Sequence, residues 1–403
     1  MEKKTTRNII LLSVFALITV AMLISLAFSG TIEKKLGLGR ASSGIITKCT
    51  FKYDVIDVGQ GAASLLTMEN GEHILIDAGT NKSEGALVSY LNKLKINTID
   101  CFVLTHSDND HTGGADAIYE NFEVVKTYRP YILAEKDDYQ DPLISHKTED
   151  TTVVSSTDWA KCVQLMYSET YTKNGEQQES TVEIISDMCL PIISGGSSLR
   201  FFWPTAVGSY ISEQVPGCNK TVGYQTEHCT SINNYSPIML INYYNTSLVV
   251  TGDADESVEK KVVQNLEASD QIDLISKVDI YVAGHHGSNS SSCSVFLNVL
   301  LPKTIVVQCG NSKSHPHSKF LERIESVWQN NMVSGTLYRT DKNKDITFKF
   351  DGTDTNDIKM QTQYSGTAAK YDLKWWQIVL ATISVFAVLL VVPIVPKRRR
   401  FRR

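Results

Sequence analysis

Short apolar runs alternate with polar turns through the first third of the chain. Strand-length apolar runs occupy residues 51–57, 62–68, 73–77 and 99–104. Each run has the length and the content of β-branched or aromatic residues that strands favour, and turns rich in Gly and Asn separate them. Between the third and fourth runs, Leu87, Leu91 and Leu94 recur at helical spacing, so we predict a helix over residues 82–96.

The same order of elements returns in the second half. Strands are predicted at 199–203, 238–243, 248–250, 279–282, 304–307, 336–339 and 346–350, and helices at 256–266 and 318–329. Strands followed by helices, twice over, predict an α/β fold in which two sheets lie between two layers of helices. Residues 131–196 are polar and lack clear periodicity, so we interpret them as an insertion whose structure the pattern does not define.

Two uncharged apolar stretches flank this region. Residues 8–29 and 375–396 each have about the 20 residues that a membrane-spanning helix needs. Basic residues lie outside both stretches, so the positive-inside rule predicts that both termini are cytoplasmic and that the region between them is extracellular. A cleaved signal peptide is the alternative for the first stretch, because Ala27-Phe28-Ser29 resembles a cleavage site.

These features divide the chain into several parts. They are a cytoplasmic tip with a transmembrane helix (1–29), a tether (30–49), the main domain (50–352), a polar linker (353–374), a second transmembrane helix (375–396) and a basic cytoplasmic tail (397–403). Because the tips are basic, the extracellular part is more acidic than the formal net charge of -5 of the whole chain. A surface of that sign repels nucleic-acid phosphates unless metal ions or a local strip of basic residues compensate.

All 8 cysteines fall in the part predicted to be extracellular, where disulfides can form. Cys218 and Cys229 are the pair closest together in sequence, so they are the leading candidates for a disulfide. Cys101 and Cys309 lie in apolar, strand-like runs, and we expect them to be buried thiols.

Histidine and aspartate are concentrated in two short segments. The first, His106-Ser107-Asp108-Asn109-Asp110-His111, follows a predicted strand and crowds several metal-binding side chains together. The second is His285-His286, and between the two segments Asp253 follows another β-branched run. Side chains of these types at strand ends indicate a site for two metal ions. The simpler alternatives are a helix-capping loop for the first segment and an N-cap for Asp253.

The order of these residues, together with Asp77 at the end of an earlier strand, resembles the metallo-β-lactamase superfamily. Six motifs resemble the C-terminal hydrolase domain of ComEC-type competence proteins more narrowly. They are Asp57-Val58-Gly59-Gln60-Gly61, the HxDxDHxGG turn that begins at His106, Asn233-Asn234-Tyr235-Ser236, Thr251-Gly252-Asp253, His285-His286-Gly287-Ser288 and His315-Pro316-His317. The resemblance covers about residues 50–350. It does not extend to the many-helix channel of those proteins. The resemblance implies an αββα sandwich with a two-metal phosphodiesterase site.

The resemblance also implies a set of metal ligands. His106 and Asp108 would hold one ion, Asp110 and His111 the other, and Asp253 would bridge the two. In many members a further histidine serves the first ion. His146 and His228 are the candidates here, and His228 lies nearer the expected strand.

Other histidines and one aspartate receive supporting roles by the same resemblance. His285 would complete the second ligand set, while His286 would make a structural hydrogen bond or contact the substrate, and the choice between these two neighbours stays open. His315 and His317 would either contact the substrate or cap the following helix. Asp77 would orient the site from behind, and Asp110, Asp253 and His286 would serve catalysis.

The chain departs from the wider pattern at two positions. Most of the superfamily carries a histidine where this chain has Asp108. A carboxylate is a harder ligand than an imidazole, so the replacement shifts the preference from Zn²⁺ towards Mn²⁺ or Mg²⁺, although Zn²⁺ still fits. Ala62 stands where competence proteins usually carry an aspartate, which removes a carboxylate near the site.

Together these observations predict a membrane-anchored, extracellular hydrolase that uses two divalent ions to cleave a phosphodiester in nucleic acid, a nucleotide or a cell-envelope polymer. Hydrolysis of a carboxylic ester, lactone or β-lactam is the alternative, since fold and metal site do not determine which bond is cleaved. A non-catalytic binding protein stabilised by metal is a further alternative. The sequence identifies no protein partner.

Overall fold

A computed structural model describes residues 51–215, 218–311, 314–350, 358–363 and 369–371. Both predicted membrane spans, all of the tether and most of the polar linker lie outside these residues. In the described part of the chain, no helix is both long enough and apolar enough to cross a membrane.

Strands dominate the described residues. In chain order they are β1 (Lys52–Val55), β2 (Ser64–Thr67), β3 (His73–Ile76), β4 (Thr98–Ile99), β5 (Cys101–Val103), β6 (Glu123–Val124), β7 (Lys126–Arg129), β8 (Leu133–Lys136), β9 (Tyr139–Gln140), β10 (Val153–Val154), β11 (Thr170–Lys173), β12 (Glu176–Glu179), β13 (Thr181–Ile184), β14 (Ile192–Ser194), β15 (Ser197–Phe201), β16 (Ala206–Val215), β17 (Cys218–Thr226), β18 (Met239–Tyr243), β19 (Thr246–Val250), β20 (Ile280–Val282), β21 (Thr304–Val307), β22 (Gly335–Arg339), β23 (Ile346–Lys349), β24 (Lys359–Thr362) and β25 (Ala369–Tyr371).

The α-helices in the same residues are α1 (Glu84–Lys93), α2 (Asn109–Thr112), α3 (Ala115–Asn121), α4 (Thr157–Ser168), α5 (Glu256–Ala268), α6 (Ser294–Leu300), α7 (Ser318–Asn330) and α8 (Thr340–Asn343). Short 3-10 helices occupy Asn81–Ser83, Pro142–His146, Ile232–Tyr235, Ile272–Ile275 and Gly284–Gly287.

Two large mixed sheets form the framework of the described residues. The first has the strand order β16-β17-β13-β7-β5-β3-β2-β1-β23-β24, and the second has the order β14-β15-β18-β19-β20-β21-β22-β25. Strands β3, β5 and β7 run parallel to one another, as do β19, β20, β21 and β22. Parallel strands end at a common edge of their sheet, and ligands bind at that edge in open α/β sheets. The segments that follow β3, β5, β19 and β20 are therefore the ones that build the site.

Side chains alternate between two apolar layers, as the period of a strand requires. On β3, Ile74 and Ile76 are buried in the same layer as Val250 of the second sheet. Leu75, between them, is buried with Leu87 and Leu91 of α1 on the outer face. The inner layer joins the two sheets and the outer layers hold helices, so the predicted sandwich of two sheets between helices is confirmed.

The polar segment 131–196 has a defined structure that the sequence pattern did not predict. Its strand β13 pairs in parallel with both β7 and β17 inside the ten-stranded sheet. A buried ion pair anchors the segment, because Arg129 Nη2 lies 2.8 Å from Asp141 Oδ2 and neither side chain is exposed. Helix α4 belongs to the same segment, and the Ser156 side chain caps it by accepting a hydrogen bond from Trp159 N.

The cysteines correct one expectation. Cys101 and Cys309 are buried free thiols, as predicted. The expected disulfide between Cys218 and Cys229 is wrong, because Cys229 is a buried free thiol whose Sγ lies 3.2 Å from Asn234 O. Cys218 begins β17 and Cys229 lies beyond its other end. A strand extends by about 3.3 Å per residue, so closeness in sequence here means separation in space.

Candidate metal centre

Four strand ends deliver the candidate ligands to one place. Asp77 follows β3, the segment that begins at His106 follows β5, Asp253 follows β19, and the paired histidines follow β20. His106 and His111 are fully buried, and Asp253 and His286 are nearly so. Metal-binding side chains that were far apart in the sequence thus share one buried edge between the two sheets.

Two sets of three side chains could each hold an ion. The first is His106, His111 and Asp253, and the second is Asp110, His111 and His286. Within each set the ligand atoms lie within 4.8 Å of one another. Asp253 is central, since its Oδ1 lies 3.0 Å from His111 Nε2 and its Oδ2 lies 3.9 Å from His106 Nε2 and 3.7 Å from His286 Nε2.

Hydrogen bonds hold each of these three imidazoles by Nδ1 and leave Nε2 turned to the centre. His111 Nδ1 lies 2.7 Å from Asp77 Oδ2, His106 Nδ1 lies 3.2 Å from Ser236 Oγ, and His286 Nδ1 lies 2.8 Å from Gln308 O. The Nε2 atom of His106 is buried without a hydrogen-bond partner among the described residues, whereas His111 Nε2 lies 3.0 Å from Asp253 Oδ1. A buried, unpaired nitrogen is costly. Metal-binding histidines usually have this arrangement, with the second nitrogen bonded to an oxygen, so these residues fit divalent ions.

Asp77 lies behind the centre and organises it. Its Oδ1 accepts a hydrogen bond from Thr105 N and its Oδ2 accepts one from Thr105 Oγ1, both at 2.8 Å. Asp77 has a φ of 58°, in the left-handed region that aspartate tolerates better than most residues. One carboxylate therefore fixes both the start of the His106–His111 segment and the ring of His111.

The charges of the centre shift its pKa values in opposite directions for acids and bases. Burial lowers the pKa of His111, but Asp253 and Asp77 outweigh burial and raise that pKa well above its ordinary value. Burial raises the pKa of Asp253, but His111 and His286 outweigh it and hold that pKa well below the ordinary value. Burial also raises the pKa of Asp110, and the hydrogen bond from His286 and the charge of His111 lower it to about 2. In the metal-free centre the carboxylates thus stay charged and attract cations.

The paired histidines differ in their surroundings. His286 is nearly buried and its Nε2 lies 3.2 Å from Asp110 Oδ2. The side chain of His285 is 29% exposed, and its Nδ1 lies 3.2 Å from Ser290 Oγ. Both residues have positive φ values of 48° and 54°, a conformation that directs two successive side chains out of one turn. The three-ligand set contains His286, whereas the resemblance had implied His285. The Nε2 atoms of both histidines lie 3.7 Å from Asp253 Oδ2, so the assignment of His285 as a ligand stays a prediction.

The other candidates lie at the margin of the centre. Asp108 is 44% exposed at its side chain, and its Oδ2 lies 3.7 Å from His106 Nε2. It occupies the N-cap position of α2 but makes no capping hydrogen bond. Helix α5 is capped by Asp255, so Asp253 is not needed as a cap. His228 is exposed, lies 3.5 Å from Thr152 Oγ1, and belongs to neither set.

Three histidines form a stack that leads outward from the centre. The rings of His285 and His315 are stacked with centroids 5.9 Å apart, and those of His315 and His317 are 4.6 Å apart. His317 occupies the N-cap position of α7 but makes no capping hydrogen bond, and its Nδ1 accepts a hydrogen bond from Asn289 N. Burial and the neighbouring histidines lower the pKa of His315 to about 4, so its ring is neutral near pH 7.

Sequence reasoning missed several residues that support the centre. Ser236 contacts His106 and also accepts a hydrogen bond from Asp253 N at 3.0 Å. It lies in the Asn233–Ser236 motif, so its position was flagged but not its role. Gln308 offers only a backbone carbonyl, which no side-chain pattern reveals. The backbone amide of Ala62 donates to Asp110 O at 3.0 Å, so this loop supports the site although it lacks a carboxylate.

Comparison with known proteins agrees with this geometry. Residues 56–153 match the family model of the metallo-beta-lactamase superfamily. Within these residues the chain matches a metallo-beta-lactamase domain. Asp77 and the His106–His111 segment lie inside the match, whereas Asp253 and His286 join the same centre through the tertiary structure.

The chain is also similar to competence proteins, over a longer stretch than the family model matches. The chain is 24% identical over 327 residues to Recombination protein 2 of Haemophilus influenzae, covering 76% of this chain and 32% of that protein. It is 22% identical over 320 residues to ComE operon protein 3 of Bacillus subtilis, covering 74% of this chain and 33% of that protein. The resemblance to ComEC-type proteins is thus confirmed, and the chain spans about a third of the length of these relatives.

One of the solved structures that the chain matches is the metallo-beta-lactamase fold protein YhfI from Bacillus subtilis. It is 10% identical, with a TM-score of 0.38, over 80% of this chain and 100% of that one.

Proposed function

We propose that this protein is a membrane-anchored, extracellular hydrolase that uses two divalent ions to cleave a phosphodiester. The observation that carries the proposal is the position of Asp253, whose carboxylate faces His106, His111 and His286 at once. A single carboxylate between two histidine-containing ligand sets suits a pair of ions a few ångströms apart. The flanking apolar stretches, which lie outside the described residues, support the anchorage.

Each side chain would have a defined task. His106, Asp108 and Asp253 would hold one ion, and Asp110, His111, His286 and Asp253 would hold the other. Divalent ions in these positions supply Lewis-acid charge that stabilises negative charge building up on a phosphate oxygen. Asp108 makes the first set rich in carboxylate, so Mn²⁺ and Mg²⁺ compete well there with Zn²⁺.

The surrounding residues would orient the ligands and the substrate. Asp77 and Gln308 fix the tautomers of His111 and His286 through Nδ1, which keeps Nε2 available. His285 is half-buried, lies beside the centre and is free of the ligand sets, so we assign it to substrate contact rather than to metal binding. The stacked rings of His315 and His317 would extend that contact surface.

A phosphodiester in nucleic acid is the substrate that the relatives favour. One of the relatives is named Recombination protein 2, and recombination is a reaction of nucleic acid. The acidity of the extracellular part opposes nucleic-acid binding, so the ions themselves would have to supply most of the attraction for phosphate.

The test is hydrolysis by the purified full-length chain after loading with Mn²⁺ or Zn²⁺. We expect turnover of bis(p-nitrophenyl) phosphate and of single-stranded DNA, and we expect Asp253→Ala to abolish both. Turnover of a carboxylic ester or a β-lactam in place of the phosphodiesters would contradict the proposal and support the alternative, an ester or β-lactam hydrolase. Metal binding without turnover of any of these substrates would identify a binding protein.

A further inference from the structure

Three lysines lie in register at one end of the ten-stranded sheet. Lys52 on β1 pairs directly with Lys349 on β23, and Lys349 pairs directly with Lys359 on β24. Residues that pair directly project from the same face, so the three ammonium groups stand in one row across neighbouring strands. Like charges placed opposite one another destabilise a sheet. An anionic partner along the row would remove that repulsion.

The end of α1 brings a fourth lysine to the same face. A groove of ≈ 270 Å³ is lined by Lys52, Lys93 and Lys349, together with Asp54, Asp345 and Leu94. Three lysines outnumber the two carboxylates of the groove, of which Asp54 Oδ1 accepts a hydrogen bond from Thr347 Oγ1 at 2.5 Å and Asp345 Oδ1 accepts one from Asp57 N at 2.9 Å. Lys93, Lys349 and Lys359 are exposed. The groove therefore offers cationic groups to a partner outside the domain.

This lysine row lies at the end of the domain opposite the metal centre. Strand β1 runs parallel to β3, because each pairs antiparallel with β2. The metal centre follows the last residue of β3, whereas Lys52 is the first residue of β1. Lys349 ends β23 and Lys359 begins β24, which places both at the same far end, given their antiparallel pairing.

The chain also enters and leaves the domain at this far end. Phe51 immediately precedes β1, and β25 runs antiparallel to β22 from Ala369 to Tyr371, ending opposite the first residue of β22. The second predicted span begins at Trp375. Four residues of fully extended chain reach at most about 14 Å. A span that begins there would hold the far end of the domain close to the bilayer surface.

We propose that Lys52, Lys93, Lys349 and Lys359 bind the phosphate headgroups of anionic phospholipids, so that the metal centre faces away from the membrane. The inference rests on the membrane anchorage in the proposed function and goes beyond it by assigning a lipid-binding surface and an orientation. A nucleic-acid backbone offers the same phosphate chemistry. The membrane is the favoured partner because the short connection to Trp375 would hold the lysines near the bilayer surface. Electrostatic attraction between the lysines and the headgroups acts over a Debye length of about 8 Å.

Lysine labelling of the full-length chain in lipid nanodiscs tests this orientation. One set of discs contains phosphatidylcholine alone, and the other contains phosphatidylglycerol as well. An amine-reactive reagent is applied, and the labelling rate of each lysine is read by mass spectrometry. We expect the four lysines to react roughly five-fold more slowly in the anionic discs. Lys319, an exposed residue near the start of α7 at the metal end, serves as the internal control and should react equally in both.

A double variant provides the matched test. Lys349→Glu with Lys359→Glu changes two exposed side chains and should remove the lipid-dependent protection of Lys52 and Lys93. Lys319→Glu should leave that protection intact. Metal content equal to that of the unchanged chain shows that each variant is folded.

The other outcomes overturn the proposal. Equal labelling in the two kinds of disc excludes a lipid contact. Protection by inorganic phosphate in phosphatidylcholine discs would identify a small-anion site, and protection by single-stranded DNA alone would identify a nucleic-acid surface. Failure of the chain to insert into the discs would contradict both the membrane anchorage and this inference. Hydrolysis of phosphodiesters in solution is measured separately, so the proposed hydrolase activity is tested independently of the lipid contact.

Discussion

The side-chain amide of Asn109 donates a hydrogen bond to Asp158, with Nδ2 and Oδ2 2.5 Å apart. The same amide contacts Asn81. Asn109 lies between Asp108 and Asp110 in the metal-binding segment, and Asp158 is in the first turn of α4, inside the segment 131–196. This bond ties a segment that looked like a surface insertion to the loop that carries two candidate metal ligands.

Removing the hydrogen bond between Asn109 and Asp158 should weaken the positioning of the candidate metal ligands. We expect Asp158→Ala to weaken metal binding about ten-fold, the lower end of what loss of a residue that supports metal ligands causes. Titration calorimetry with Mn²⁺ measures the change. Asp150→Ala, which alters an exposed aspartate of the same segment, is the control and should bind metal normally. Equal affinity in both variants would show that α4 does not position the loop.

Substitution of each paired histidine should separate metal binding from substrate contact. His286→Ala should reduce the metal content to about one ion per chain, because it removes a ligand of the set with Asp110 and His111. His285→Ala should retain both ions and lose part of the rate. Elemental analysis alongside kcat decides the matter. The opposite pattern would return the ligand role to His285, as the family resemblance first implied.

Metal binding should release protons, and more so at lower pH. His111 has a pKa raised well above its ordinary value by Asp253 and Asp77, despite its burial. Its Nε2 must lose a proton before it can bind an ion. Affinity should therefore rise with pH until His111 is neutral in the metal-free protein. Calorimetry in two buffers of different ionisation enthalpy counts the protons. A count near zero at pH 6 would contradict the raised pKa.

A buried glutamate outside the centre should make stability depend on pH. Burial raises the pKa of Glu259 to about 8, although its carboxyl oxygens accept hydrogen bonds from Ser292 N and Cys293 N. The folded state therefore keeps a proton that the unfolded state has already lost above pH 4.5. The contribution is complete below that pH, and the free energy of unfolding falls as the pH rises towards 8.

Glu259→Gln tests this dependence, since the amide does not titrate. We expect the variant to be less stable at pH 5 by about 1–3 kcal/mol, because an amide oxygen replaces only one of two acceptors. The decline between pH 5 and 8 should be absent from its denaturant-unfolding curves. A decline of the same size in both proteins would assign it to another group.

The loop before β2 tolerates no side chain at Gly61. A Cβ atom there would lie 2.5 Å from Asp110 O, so Gly61→Ala must displace the metal-binding segment. We expect a loss of about 1–3 kcal/mol in the free energy of unfolding, as in other overpacked sites, together with weaker metal binding. Gly85→Ala is the matched control, because a Cβ at Gly85 meets nothing within 4 Å. Thermal unfolding compares the two, and equal midpoints would refute the close approach.

Much of the fold follows from local pattern. The alternation of Ile74, Leu75 and Ile76 predicts a strand buried on both faces, and the spacing of Leu87 and Leu91 predicts the helix that covers it. The strands of segment 131–196 were not predicted, because they are short and polar. Strand β13 is stabilised in the sheet by pairing with β7 and β17, which are distant in sequence. Pairing of that kind leaves little trace in local periodicity.

The sequence by itself determined the chemistry: His106, Asp108, Asp110, His111 and Asp253 could be read as metal ligands because few other tasks need these residue types at strand ends. Only the tertiary structure showed that His286, and not His285, lies in a set with Asp110 and His111, because adjacent residues share the same spacing and differ in the turn that directs their rings. It also placed Asp158 beside Asn109 and aligned three lysines across β1, β23 and β24. The reason is the same in each case, since contacts between distant segments depend on strand register and turn geometry, which neighbouring residues do not encode.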